Sequence, residues 1–173
     1  LYVLARAGRA AMGDLRYYAD AKAGAFGSSL ALAQLGAALA SYGDQPRADR
    51  LFAAAQARLG GGDARLWRAD YGSPRRDAAG VLTLALAARS DAVDRGALAR
   101  QVTAGDGRPS PQELAWSLLA AEAVVDDPPA AGVTLDGAAP DGLPVWRLDA
   151  AARAGRAPTT TGAAPFDVTL TST

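Results

Sequence analysis

The densest group of side chains able to do chemistry lies between Asp63 and Asp77, where Asp63, Arg65, Trp67, Arg68, Asp70, Tyr71, Arg75, Arg76 and Asp77 crowd together. Paired carboxylates beside Trp and Tyr suggest a carbohydrate site, in which one acid protonates the leaving oxygen and a second carboxylate acts on the sugar ring. A purely structural reading competes with this and is the stronger. Loops between helices are usually polar, and Asp77 stands near the start of a helix, where the helix dipole alone favours a negative charge. The two Glu of the chain, Glu113 and Glu122, share a helix with Trp116. Glu113 has a capping role, and Glu122 reads as a solvated residue beside a core-edge Trp. Tyr17-Tyr18 after Asp14 could stack a ligand, but two large amphipathic rings turned toward a neighbouring helix is the commoner arrangement. The Gly60-Gly61-Gly62 run lacks the Lys and the strand-loop-helix context of a phosphate loop.

The residues that are missing limit the chemistry further. With no Cys and no His, the chain has no thiolate nucleophile, no imidazole base, no Cys/His metal cage and no disulfide. No catalytic, cofactor-binding or metal-binding residue is therefore assigned, and no cofactor is expected. Eighteen basic residues balance eighteen acidic ones without a Lys/Arg block, so neither nucleic acid nor an anionic membrane surface is implied and the expected partners are proteins. Half of the residues are apolar and 21% charged, as in ordinary globular domains. No apolar run approaches the roughly 18 residues of a membrane span; the run from Val81 to Ala88 is short and interrupted by Thr83.

The elements that position these residues read as helical hairpins. Leu1 to Arg6 already has helical character without a capping residue before it, so the chain is expected to start inside an element of a larger protein. Ser28 is a suitable N-cap for a helix toward Tyr42, with Gly43 ending it. Leu32, Leu35, Leu39 and Tyr42 form one stripe of a 3.6-residue period. Pro46 suits the first turn of the next helix, in which Ala48, Leu51, Phe52, Ala55 and Leu59 repeat the spacing up to Gly60. Ser73-Pro74 opens a third helix that is apolar on nearly every face from Val81 to Ala88 and is expected to be central. A turn near Ser90-Asp91 leads to a shorter helix through Ala97, Leu98 and Val102, stopping at Gly105-Asp106-Gly107. Ser110-Pro111-Gln112-Glu113 is a capping box, and Leu114, Leu118, Ala121 and Val125 are the expected buried stripe of the last helix. The turns near Gly43, Ser90 and Asp126 are about 47 and about 36 residues apart, in the range of stacked helical hairpins.

After Asp126-Asp127-Pro128-Pro129 the helical period gives way to Val/Thr/Leu alternation. Residues 132–135, 143–148 and 166–171 are three strand candidates, Pro144 confining the second to an edge. The fold class expected is mainly α: antiparallel helical hairpins of a partial α/α toroid over residues 1–128, then a small β-rich tail over 129–173 belonging to a β-sandwich module completed elsewhere.

Several co-linear segments carry a family resemblance: Ala7-Gly8-Arg9 with Gly13-Asp14-Leu15-Arg16-Tyr17-Tyr18, AQLGAALASYGDQPRADRLFAAA from Ala33 to Ala55, DYGSPRRDAAGVLTLALA from Asp70 to Ala87, and QELAWSLLAAEAV from Gln112 to Val124. Over about residues 1 to 130 the chain resembles the bacterial alpha-2-macroglobulins. The resemblance implies the later part of a thioester-containing α/α-toroid domain, followed by β-sandwich modules. It further implies protease trapping, in which cleavage of a bait region exposes a buried Cys–Gln thioester that captures amines on the protease. The Cys-x-Glu-Gln signature is absent here, so any thioester would lie upstream of Leu1, and no functional residue is carried over. On this basis the chain is expected to be a non-catalytic structural fragment of an endopeptidase inhibitor. Its partners would be the other domains of the parent and, for the parent, proteases, with no nucleic acid and no membrane contact by this segment. The family implies a periplasmic or cell-envelope location, a lipid anchor on the parent being one form of it. The alternatives from other classes are an α/α-toroid carbohydrate-active enzyme using the Asp70/Asp77 region and a helical protein-binding scaffold.

Overall fold

The structure, a computed structural model, describes residues 1–60, 70–104, 107–127, 132–140, 145–149, 151 and 155–160. It divides into two compact units, Leu1–Val124 and Val125–Thr173. Among the described residues the elements are α1 (Tyr2–Arg6), α2 (Met12–Ala21), a short 3-10 turn (Ala23–Ala25), α3 (Ser29–Ser41), α4 (Gln45–Gly60), α5 (Pro74–Ala87), α6 (Arg95–Thr103), α7 (Pro111–Asp126), β1 (Val133–Leu135) and β2 (Pro158–Thr160). The protein is mainly α with a small β element, as its composition of hairpin signals predicts.

Local chemistry sets most helix boundaries. The Ser28 hydroxyl accepts the amide of Ala31 at 3.1 Å, which starts α3, and Gly43 ends it in the left-handed region at φ +82°. Ser73 caps α5 through the amide of Arg76 at 3.1 Å, with Pro74 in the first turn. The capping box of α7 closes in both directions: Glu113 N–H donates to Ser110 Oγ at 3.3 Å, and Ser110 N–H to Glu113 Oε2 at 2.6 Å. Asp94 caps α6 through Ala97 N–H at 2.8 Å, a start that the apolar spacing of that helix did not mark.

The core follows from size as much as from hydrophobicity. Ala33, Ala38, Ala48, Ala55, Ala78, Ala79 and Ala85 are all fully buried, so the helices meet over small side chains. Helices α3 and α4 approach closely at Gly36, where a β-carbon would lie 3.2 Å from the carbonyl oxygen of Ala48 and 3.4 Å from the Phe52 ring. The stripe Leu32, Leu35 and Leu39 is buried in that interface, with Tyr42 packed at its edge. Helix α5 is buried from Arg76 to Leu82 and again from Leu84 to Leu86, which makes it the enclosed helix that its all-round apolar surface requires. Gly80 lets this happen on one side, since a β-carbon there would collide with Leu30 at 2.4 Å and touch Trp116 at 3.5 Å.

Three expectations fail. The buried face of α7 is not the Leu114, Leu118, Ala121, Val125 stripe: all four residues are exposed, while Ala120 is buried and Trp116, Ala123 and Val124 pack against the core. The face that carries Trp116 is the one that lies beside Gly80, so packing geometry overrode the leucine stripe. Tyr17 and Tyr18 are both exposed; they meet edge-on at 5.5 Å, and Tyr18 meets Phe26 at 6.2 Å. They form an aromatic surface group rather than an interhelical contact.

In the second unit, residues 145–148 are not a strand. β1 pairs antiparallel with β2 instead, Val133 opposite Thr160 and Leu135 opposite Pro158. Pro158 hid this strand, because a proline argues against a ladder except at an edge or a strand start, which is where it sits. Asp136-Gly137 turns the chain after β1 with φ +53° and +79°, the two-residue turn in which both central residues need positive φ. The strand candidate at 166–171 lies outside the described residues.

Leu39 has no exposed surface. Leu39→Asp is expected to cost roughly 3–5 kcal/mol by burying an unpaired carboxylate. Thermal unfolding followed by circular dichroism checks this, and an unchanged midpoint would remove Leu39 from the core.

Candidate functional site

The polar cluster at the start of α5 brings a buried cation and a buried carboxylate together. Arg76 is 5% exposed and Asp77 2% exposed. They stand in the first turn of α5 because Ser73 and Pro74 fix where that helix begins. Asp77 precedes Val81 and Leu84 by four and seven residues, so it lies on the same inward face as they do.

One guanidinium organises the whole group. Arg76 Nη2 donates to Asp77 Oδ1 at 2.5 Å and to Asp70 Oδ2 at 2.7 Å. Its Nε donates to Asp77 Oδ1 at 2.9 Å. Its Nη1 donates to Gln112 Oε1 at 3.1 Å and to the Asp70 carbonyl at 3.3 Å. Burial alone would lower the Arg76 pKa, but the hydrogen bonds to Asp70 and Asp77 outweigh it and raise the value above that of an ordinary guanidinium. A second tie runs parallel: Ser73 Oγ donates to Glu113 Oε1 at 2.6 Å. Glu113 is held below the usual carboxylate range, first by this Ser73 hydroxyl and then by the Ser110 amide. Together these bonds fasten the start of α7 to the start of α5. Gly72 makes room for them, because a β-carbon at that position would fall 2.1 Å from Arg76 Nη2.

Asp70 and Asp77 share one nitrogen of Arg76, which puts their bonded oxygens within roughly 5 Å, a spacing that two glycosidase carboxylates can adopt. Asp77 nevertheless has almost no solvent contact, and both acids are hydrogen-bonded to the Arg76 guanidinium, an arrangement that disfavours an acid and nucleophile pair. Tyr71 is 77% exposed and in the left-handed region at φ +51°. Asp63, Arg65, Trp67 and Arg68 lie outside the described residues. Glu122 is exposed and Trp116 half-buried, as the sequence predicts. Among the described residues no group of acidic side chains could hold a metal ion.

Two other polar ties hold the array. Asp44, buried at the α3–α4 turn, accepts from Arg16 Nε at 2.9 Å and Arg47 Nη1 at 3.1 Å. The Arg16 hydrogen bond keeps its carboxyl below the ordinary range. Arg47 also grips Asp20, whose pKa is lowered for the same reason, with Arg50 assisting at 3.0 Å. Buried Ser90 donates to Asp49 Oδ1 at 2.6 Å, tying the α5–α6 turn to α4. The sequence carried a usable sign of the Arg76–Asp77 pair: a charge on the inward face of an otherwise apolar helix needs a partner of opposite sign.

Removing the guanidinium by Arg76→Met is expected to destabilise the protein by roughly 3–5 kcal/mol, and Arg76→Met with Asp77→Leu to recover most of that loss. Denaturant unfolding measures both; equal stability of the single and double variants would mean that the pair is not coupled. The acid dependence follows from three lowered carboxyls. Their stabilisation is complete above the unfolded pKa of about 4 and is lost as pH falls through the lower folded values. The thermal midpoint should stay level from pH 7 to about 5 and fall below about 4, and Glu113→Gln should shallow that fall. A level midpoint down to pH 3 would contradict this account.

No family model matches the chain. It is 43% identical over 82 residues, 47% of this chain and 5% of the relative, to alpha-2-macroglobulin of Escherichia coli K12. It is 41% identical over 83 residues, 48% of this chain and 5% of the relative, to alpha-2-macroglobulin of Xylella fastidiosa. Its structure superposes on the native conformation of the E. coli protein with a TM-score of 0.60 at 30% identity, covering 80% of this chain and 9% of that one. Salmonella alpha-2-macroglobulin reacted with methylamine gives 0.60 at 32% identity, with the same two coverages. The chain thus spans 5% of the length of the curated relatives it matches. Sequence and structure agree on one group of relatives: the chain is similar to the bacterial alpha-2-macroglobulins over about half of its sequence and 80% of its structure.

Proposed function

We propose that this chain is a non-catalytic wall of the helical-hairpin domain of a protease-trapping inhibitor, and that it helps keep water from a thioester held elsewhere in the parent protein. In this reading residues 1–128 are the C-terminal part of an α/α-toroid domain, and residues 129–173 begin a β-sandwich module. The parent works in the periplasm or at the cell envelope.

The observation that carries the proposal is the buried apolar core around α3 and α5, at whose edge Arg76 and Asp77 are locked into ion pairs. A thioester survives only where water is excluded, and close-packed helices supply such a place. The Salmonella relative, solved after reaction with methylamine, supports an amine-reactive centre in proteins of this kind. An amine that attacks a thioester carbonyl forms an amide and releases the Cys thiol, so uptake of amine and appearance of thiol go together.

The test uses the full-length parent. Labelled methylamine should be incorporated with release of a matching amount of thiol. A protease added to untreated protein should form a covalent adduct that methylamine pretreatment prevents. Absence of both amine uptake and protease adduct would overturn the proposal. So would a glycan-cleaving activity abolished by Asp70→Asn or Asp77→Asn.

A further inference from the structure

The turn after β1 holds a chemically reactive pair of residues. Asp136 and Gly137 form the two-residue connection that brings Leu135 opposite Ala138. Leu135 N–H donates to the Ala138 carbonyl and Ala138 N–H to the Leu135 carbonyl, both at 3.0 Å. Positive φ at both central residues is what this turn demands; glycine adopts it freely and aspartate tolerates it. Both residues are exposed to water. The space around Gly137 is open, since a β-carbon there would meet no heavy atom beyond its chain neighbours within 4 Å. Its amide donates to no acceptor among the described residues.

A free glycyl amide beside an aspartyl carboxyl in water allows the peptide bond between them to rearrange. The Gly137 nitrogen attacks Asp136 Cγ, the amide proton and the carboxyl OH leave as water, and a five-membered succinimide closes. Water then reopens the ring. Addition at the side-chain carbonyl restores aspartate. Addition at the carbonyl of the original peptide bond breaks that C–N bond and leaves the chain running through the Asp136 β-carbon, an isoaspartate. One water is lost and one regained, so no oxidant, reductant or co-reactant is needed. One contact opposes the reaction. Arg156, just before β2, places Nη1 3.2 Å from Asp136 Oδ2, and so holds the carboxyl that must swing onto the Gly137 nitrogen. The two side chains are 42% and 46% exposed, and a pair so placed opens readily, which slows the reaction without preventing it. We infer that Asp136-Gly137 is a site of spontaneous isoaspartate formation restrained by Arg156. The β-carbon adds one atom to the backbone of the turn, so Leu135 and Ala138 no longer meet through both hydrogen bonds. Val133 and Leu135, the buried residues of β1, then lose the register that the turn sets.

The test ages the full-length parent in warm, mildly acidic buffer and locates isoaspartate residue by residue through electron-transfer fragmentation of its peptides. Residue-level mapping also separates Asp136 from the two other Asp-Gly pairs of the sequence, Asp106-Gly107 and Asp141-Gly142, whose aspartates lie outside the described residues. The expected result is isoaspartate at residue 136 that accumulates with time and does so severalfold faster in Arg156→Gln. Asp136→Glu should show no such product, because its ring would be six-membered and far slower to close. Absence of isoaspartate at residue 136 from both the natural protein and Arg156→Gln overturns the inference, and equal rates in the two overturn the restraint by Arg156. Deuterium exchange in peptides covering residues 133–138 should be faster in aged than in fresh protein, and unchanged by ageing in Asp136→Glu. Equal exchange in aged and fresh natural protein overturns the loss of register. None of these readouts depends on amine uptake or protease capture.

Discussion

Helix α5 has to be kept from water on every side. Its surface from Ala78 to Leu86 is apolar except for Thr83, whose hydroxyl is returned to its own helix by donating to the Ala79 carbonyl at 2.8 Å. A helix of that kind is stable only inside other helices. The rest of the first unit follows from this requirement: α3 and α4 pack against one flank, α6 against another, and Trp116 of α7 covers Gly80. Alanine at so many contact points keeps the covering helices close, and at Gly36 and Gly80 even a methyl group would crowd a neighbouring helix.

Enclosure creates a problem at the start of α5, where backbone amides lack intrahelical partners and where Arg76 and Asp77 are drawn into the interior. The remedy is saturation. Ser73 caps the helix, Arg76 joins Asp70, Asp77 and Gln112, and Ser73 reaches across to Glu113. Buried ion pairs of this sort add little to stability compared with apolar residues of the same volume, but they are costly to break and they allow few alternative arrangements. Here they set where α7 begins relative to α5. The residues that look like a catalytic constellation in the sequence thus fasten α7 to α5, with Arg76 and Asp77 buried at the centre of the fastening.

The surface ties have a different weight. Arg16, Arg47 and Arg50 hold Asp44 and Asp20 around the α3–α4 turn, yet most of these side chains are in contact with solvent, where screening leaves each pair little net stabilisation. Their effect is mainly to orient α2 against the hairpin, together with Tyr42, whose hydroxyl accepts the Ala10 amide at 3.1 Å. The chain so assembled has no imidazole and no thiol, and its core is built almost entirely of apolar side chains.

The helical hairpins were legible in the sequence because their signals are local. Ser28, Ser73 and the Ser110–Glu113 box satisfy amides within a few residues of themselves, Gly43 relieves a left-handed turn, and the 3.6-residue stripes of α3 and α4 need no knowledge of their neighbours. The absence of Cys and His fixed what chemistry was unavailable. Three things were decided only by the tertiary structure. Which face of α7 is buried depends on the space beside Gly80, a property of two helices together, and it went to Trp116 and Ala120 instead of the leucine stripe. The partner of β1 depends on pairing across a long connection, which is how Pro158–Thr160 entered the ladder and residues 145–148 did not. The fate of Asp70 and Asp77 depends on where one guanidinium lies in space; sequence spacing brings acids near a base, but only burial and bond geometry determine whether they meet a substrate or each other's counter-ion.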